Sequence, residues 1–195
     1  MYIITINGVN GSEYATNFAN FILKYYFKDA NISSFNYSTR KSTLREILEA
    51  FENYLNDLTK DRKEDIILIG HSFGGIVARS SKNTNIKHVI TISTPHRGAH
   101  MAHIINKFPK LAKFYLGEIY DDILSLKYEK PNHNITTISS SILPKLGFDG
   151  TVFTEEMICD DTQNYHINFS YHGLQWFDLR FIKNIIDIIK SLNVQ

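Results

Sequence analysis

Short aliphatic runs alternate with stretches whose apolar residues recur at helical spacing, and this alternation predicts six strands and the helices between them. Tyr2 to Ile6 reads as a strand that empties into Asn7-Gly8-Val9-Asn10-Gly11. Ser12 can cap the helix that follows, which carries Tyr14, Phe18, Phe21, Ile22, Tyr25 and Tyr26 at helical spacing. Ile32 to Tyr37 is a second, weaker strand. Thr43 to Leu58 is an amphipathic helix with Leu44, Ile47, Leu48, Phe51 and Leu55 on one face. A central strand from Asp65 runs into Gly70-His71-Ser72-Phe73-Gly74-Gly75 and continues helically as Ile76-Val77-Ala78-Arg79. Further strands are expected at His88 to Ile92, Ile135 to Ile138 and Tyr165 to Phe169. Residues 98 to 130 read as an insertion of short helices, a lid or cap. The last helix spans about Leu174 to Leu192, with Ile182, Ile185, Ile186 and Ile189 toward the sheet. Such alternation implies an α/β fold: a mainly parallel six-stranded sheet covered by helices on both faces, in a single domain over 1–195.

Composition narrows the function without selecting it. The 195 residues carry a formal net charge of +1, which gives no reason to expect a nucleic-acid partner. No apolar run approaches the length of a membrane span, and the N-terminal residues lack the pattern of a secretory signal, so the expected location is cytoplasmic. Cys159 is the single cysteine, so no internal disulfide is expected.

The chemistry is expected at the carboxyl ends of the strands. G-x-S-x-G at Gly70 to Gly74, between an aliphatic strand and a helix, is the pattern of a strained turn that exposes a serine hydroxyl. Side chains at the flanking positions would collide with neighbouring elements. Ser72 is therefore the candidate nucleophile. It needs a histidine base and an orienting carboxylate. His172, on the loop after the sixth strand, is preferred to His166, which lies near the start of that strand. Asp149, in Phe148-Asp149-Gly150-Thr151-Val152 after the fifth strand, is preferred to Asp160, Asp161, Asp121 and Asp122. The backbone N–H groups of Phe73 and Val9 are the candidate oxyanion hole, with Gly8 permitting close approach. His71, beside Ser72 on the turn, points away from it and is assigned with Gly8 to the substrate pocket.

Four motifs in order, G-H-S-F-G-G, S-T-P-H-R-G-A, D-G-T-V and Y-H-G-L, resemble the α/β-hydrolase superfamily in its small lipase and esterase branch. Their wording is similar to that of the GPI inositol-deacylase-like lipases, over nearly the whole chain from Ile3 to about Phe177. The resemblance implies the sheet order second, first, third, fourth, fifth, sixth, and places His96 in the pocket wall. Two departures accompany it. The loop after the first strand opens with Asn7-Gly8 instead of His-Gly, and the chain starts at the strand that is third in larger members, which leaves a minimal sheet.

The activity expected is cleavage of carboxylic esters, with thioesterase and acyltransferase chemistry or a catalytically silent binding module as alternatives. No cofactor is expected. His96, His100 and His103 lack accompanying ligands, so no metal is expected either. Lys107 to Leu116 places Phe108, Leu111, Phe114 and Tyr115 on one side and Lys107, Lys110 and Lys113 on another. This pattern suits an ester or lipid-like substrate and a transient contact with a lipid surface.

Overall fold

Runs such as Ile66-Ile67-Leu68-Ile69 are apolar at every position, so a strand built from them must be covered on both sides. The computed structural model, which describes residues 1–60, 64–128, 130 and 132–192, shows how this is done. Six strands, β1 (Tyr2–Ile6), β2 (Asn31–Phe35), β3 (Ile66–His71), β4 (Ile86–Ile92), β5 (Ile135–Ser141) and β6 (Gln163–Asn168), form one all-parallel sheet in the order β2-β1-β3-β4-β5-β6. This is the order the resemblance implies.

Period-two alternation sends the strand residues into two cores. Ile4, Ile6, Ile66 and Leu68 pack with Ile47, Phe51 and Leu55 of α2 (Leu44–Thr59) and with Ile76 and Val77 of α3 (Phe73–Ser80). Ile3, Ile67, Ile69, Ile90 and Ile92 pack on the other face against α1 (Glu13–Tyr26) and α8 (Leu179–Leu192). Between β4 and β5 lie α4 (His100–Ile105), α5 (Pro109–Leu116) and α6 (Tyr120–Leu124), and a short α7 (Thr154–Met157) precedes β6. Residue 129 of the expected 98–130 insertion is outside the described residues. The last helix begins at Leu179, and a 3-10 turn over His172–Phe177 occupies the start of the stretch read as helical.

One helix meets the sheet with a different face from the one its aromatic residues suggest. In α1 the buried residues are Ala15, Thr16, Ala19, Asn20 and Leu23, whereas Tyr14, Phe21 and Tyr25 are exposed. The small residues let the helix lie close to β1 and β2. There Asn20 answers two strand hydroxyls: Thr5 Oγ1 donates to its Oδ1 at 3.0 Å, and its Nδ2 donates to Ser34 Oγ at 2.9 Å. A bulky ring would hold the helix off these partners and remove the amide from a hydroxyl pair whose members lie 2.9 Å apart.

The turn between β3 and α3 is set by contacts that admit only hydrogen. A Cβ on Gly74 would stand 2.3–2.8 Å from the backbone of Ile6 and Asn7, and one on Gly70 would stand 2.5–2.6 Å from the backbone of Gly74 and Gly75. A Cβ on Gly75 would meet the buried Thr94 side chain, with Oγ1 at 1.9 Å and Cβ and Cγ2 at 2.8 Å, and its three nearest contacts are all side-chain atoms. Gly74→Ala is therefore expected to destabilise the fold by about 3 kcal/mol and Gly75→Ala by less, read as the shift in urea midpoint. Equal costs would show that the backbone of β1 can yield.

Two histidines away from the turn are buried and neutral. His88 meets Thr136 Oγ1 through Nε2 at 2.9 Å, and burial pushes it down to about 4. His96 is fully buried. Its Nε2 lies 2.9 Å from Thr91 Oγ1, and burial, then the charge of Arg79, push it down to about 3. The unfolded chain binds protons at both below about pH 6.5 and the folded chain does not, so stability falls as pH drops from 6.5 toward 4. The limiting slope is about 1.4 kcal/mol per pH unit for each histidine. A urea series across that range checks this, and because His71 beside Ser72 is likewise pushed down to about 3, His88→Gln should remove about a third of the slope that the three histidines give together.

Candidate active site

Ser72 is where β3 stops being a strand. Its backbone sits at φ 55° and ψ −127°, a conformation that costs a non-glycine residue of order 1–3 kcal/mol and persists only where the surroundings enforce it. Here the enforcing contacts are the glycine approaches described above, together with Ser72 N–H donating to Ile92 O at 2.8 Å and Gly75 N–H to Ser72 O at 3.0 Å. The hydroxyl is thereby turned out of the sheet at the N-terminus of α3.

The loop after β1 lies directly against it. A Cβ on Gly8 would stand 2.8 Å from Ser72 Cβ and 3.2 Å from its Oγ, so glycine lets this backbone reach the hydroxyl. Asn7, which replaces the family's histidine, braces the loop from the side. Its Nδ2 donates to Ser12 O at 2.6 Å and its Oδ1 accepts from Trp176 Nε1 at 3.1 Å, while Tyr37 OH donates to its carbonyl at 2.6 Å. Val9 and Phe73, whose N–H groups were singled out from the sequence, both line the cavity beside Ser72.

Asp149 and His172 arrive from two further strand ends. Asp149 is fully buried; its Oδ1 accepts from the N–H of Thr151 at 3.0 Å and of Val152 at 2.8 Å. Its Oδ2 accepts from His172 Nδ1 at 2.6 Å, Gln175 Nε2 at 3.1 Å and Ser140 Oγ at 3.2 Å. Burial alone would raise this carboxyl's pKa, but the bonds from His172, Val152 and Thr151 outweigh it and hold the group below its ordinary value. The backbone repeats the side-chain link, with His172 N–H donating to Asp149 O at 2.9 Å. No hydrogen bond joins Ser72 Oγ to His172 among the described contacts, although both line the same cavity.

His71 and Gln175 complete the arrangement beneath. Both acceptors of His71 Nε2–H are fixed: His172 O at 3.1 Å and Gln175 Oε1 at 3.0 Å. Burial, then the neighbouring His172, push His71 down to about 3, so it stays neutral. His71 does line the cavity, but its proton serves the loop that carries His172. Gln175 is buried with no exposure, joins His71 to Asp149 and Ser140, and has no counterpart in the sequence reading. A glutamine in an apparently amphipathic stretch gives no pattern that would single it out.

The cavity has a volume of about 400 Å³, with apolar walls from Met101, Ile105, Leu116, Ile123 and Leu126. Its roof, α5, is tied to the loop after β1: Asn10 Nδ2 donates to Tyr115 O at 2.7 Å, and the Arg40 guanidinium lies 5.3 Å from the Phe114 ring centre.

His96 is a correction, since it does not line this cavity. Ser93, at φ 45°, and the bond from His96 N–H to Thr94 O at 2.9 Å turn the chain back after β4 and fold the ring inward onto Thr91. The rival residues are elsewhere. His166 on β6 bonds Ser139 Oγ at 2.9 Å, Asp160 pairs with Arg97, and Asp122 caps α2 by accepting from Leu44 N–H at 2.8 Å. Among the described residues no three His, Cys, Asp or Glu side chains gather to hold a metal ion, and no helix is long and apolar enough to cross a membrane.

Comparison with known proteins places this geometry. The chain is 38% identical over 60 residues to triacylglycerol lipase 2 of Saccharomyces cerevisiae, a stretch that is 27% of this chain and 18% of the yeast protein. Its fold is similar to that of the Bacillus licheniformis lipase BlEst2, with a TM-score of 0.71 at 16% identity over 97% of this chain and 91% of that one. It is similar too to phospholipase PlaB of Legionella pneumophila, with a TM-score of 0.64 at 17% identity over 81% of this chain and 45% of PlaB. The chain thus spans less than half of PlaB and matches a small part of the yeast lipase. The PGAP1-like alpha/beta domain model matches residues 11–144, more than half of the chain and the whole of the Ser72 turn. With the sheet order and that turn already in place, this match assigns the chain to the PGAP1-like alpha/beta domain family, on the fold of the α/β-hydrolase lipases and esterases.

Proposed function

We propose that the chain is a serine hydrolase that cleaves carboxylic esters of lipid-like alcohols or acids through an acyl-enzyme. The observation that carries this reading is the 2.6 Å Asp149 to His172 bond at the wall of the cavity into which the strained Ser72 opens. In the proposed reaction the substrate closes the gap between Ser72 and His172. Nε2 then takes the hydroxyl proton as Oγ bonds the ester carbonyl carbon. The N–H groups of Phe73 and Val9 hold the oxyanion. Collapse breaks the bond to the alcohol oxygen, which leaves with the proton from His172. Water repeats the sequence on the acyl-enzyme: its proton goes to Nε2 and then to Ser72 Oγ, releasing the carboxylic acid. Asp149 holds the imidazole in the tautomer with hydrogen on Nδ1 throughout.

Residues 98–130 would act as the lid of this single domain. Phe108, Leu111 and Phe114 of α5 and its approach are exposed beside Lys107, Lys110 and Lys113, which suits transient contact with a lipid surface. No cofactor enters the scheme.

The test is the intact-protein mass after exposure to a fluorophosphonate. One adduct is expected on the wild type, none on Ser72→Ala, and labelling slowed by about 100-fold or more on His172→Ala. A wild type that stays unlabelled would leave a binding module, and an adduct that survives Ser72→Ala would move the nucleophile elsewhere. Gln175→Leu keeps the volume but removes one donor to the acid, the donor to Ser140 Oγ and the acceptor for His71. It should lower kcat by about 10- to 100-fold with KM for a soluble ester within about twofold, because it disturbs the base and not the pocket wall. An unchanged kcat would show that Asp149 holds His172 without Gln175.

A further inference from the structure

The outward face of α1 has no partner in the chain. Tyr14, Phe21 and Tyr25 are 84%, 76% and 72% exposed, and the less exposed Phe18 and Phe177, at 37% and 45%, rest on each other with ring centres 5.3 Å apart. Counted at ~200 Å² for each ring, these five leave about 600 Å² of aromatic surface in water. That is at the upper end of the roughly 300–600 Å² found as the largest apolar patch on a monomer, and most of the ~800 Å² that one side of a standard interface buries.

We infer that this face is a homodimer interface, in which α1 of one copy packs antiparallel against α1 of a second copy about a two-fold axis between Phe18 and Phe21. The order of residues along the helix is self-complementary under that operation. Tyr14 meets Tyr25 of the second copy and Phe18 meets Phe21, so aromatic faces aromatic along the whole contact. The charges repeat the pattern. Glu13 and Lys24 are both exposed, and neither is in an ion pair among the described residues. They are eleven residues apart, about three turns, so they share one flank of the helix about 16 Å from each other. A two-fold axis perpendicular to the plane of the paired helices keeps each flank on its own side and reverses direction along the helix. It therefore brings Glu13 of each copy to Lys24 of the other, two symmetric ion pairs bordering an aromatic centre. Rim pairs of this kind add little energy, but they favour the antiparallel register over a parallel one, in which neither pair forms.

A lipid surface fits this face less well. The helix begins at the cavity, where Ser12 and Ala15 line the wall, and runs about 20 Å away from it. Although Phe177 joins this face to the cavity wall, a bilayer lying along α1 would have to accept the charge of Glu13.

Sedimentation velocity over 1–100 µM tests the pairing, with circular dichroism and melting temperature confirming that each variant is folded. The wild type is expected to dimerise in this range, and Phe21→Asp to weaken dimerisation at least about tenfold. Glu13→Lys should weaken it about tenfold by placing lysine against lysine, and Glu13→Lys with Lys24→Glu should return it to within about threefold of the wild type. A monomeric wild type at every concentration overturns the inference, as does a dimer indifferent to Phe21→Asp or one the charge exchange fails to restore. Flotation with phosphatidylcholine and phosphatidylserine vesicles provides the other outcome: a monomer whose vesicle binding is lost in Phe21→Asp would assign the face to lipid. These readouts do not depend on catalysis, so the hydrolase reading and the interface can fail separately.

Discussion

The buried carboxylate of Asp149 is the constraint on which the cavity's architecture depends. A carboxylate with no solvent exposure is tolerated only if its oxygens are satisfied, and five donors converge on it: two backbone N–H groups, one imidazole, one amide and one hydroxyl. Each donor comes with a piece of chain. Thr151 and Val152 shape the loop after β5, Ser140 fixes the end of that strand, and His172 and Gln175 draw in the 3-10 turn ahead of α8. The charge thus organises three segments that are distant in sequence.

A second constraint, steric and not electrostatic, operates at the β3 to α3 turn. Gly70 and Gly74 remove the Cβ atoms that would meet neighbouring backbone, so β1, β3 and α3 approach at distances that no other residue permits there. The close approach forces Ser72 into its strained backbone, and it brings Gly8 against the hydroxyl. The two constraints meet at the cavity from opposite sides: one sets where Ser72 points, the other where the His172 ring lies.

Much of this was legible in the sequence, for identifiable reasons. Strand-like runs interrupted by glycine carry strong period and breaker signals, so the six strands, their order through the resemblance, and the turn at Ser72 could all be read before the structure. Asp149 and His172 could be chosen among several acids and histidines because they fall on loops beyond strand ends, unlike the rivals His166 and Asp121, and the structure brings these two into contact. What was not legible depends on partners far along the chain. Gln175 gains its place by joining His71 and Asp149, 104 and 26 residues away. In α1, hydropathy favours burying the rings, yet the hydroxyls of Thr5 and Ser34 require Asn20 and small neighbours at the contact. His96 was displaced by a turn at Ser93 whose left-handed backbone no residue pattern announces.

The brace between Trp176 and Asn7 joins residues 169 positions apart. Synthesis on the ribosome runs from the N-terminus, so the loop beside Ser72 is made 169 residues before the indole that steadies it. The carboxylate likewise lacks the imidazole and amide that arrive within the same few residues as that indole. A nascent chain can therefore assemble most of its sheet while the reactive centre is still open. The surroundings of Ser72 are complete only once the 3-10 turn over His172–Phe177 and α8 have docked.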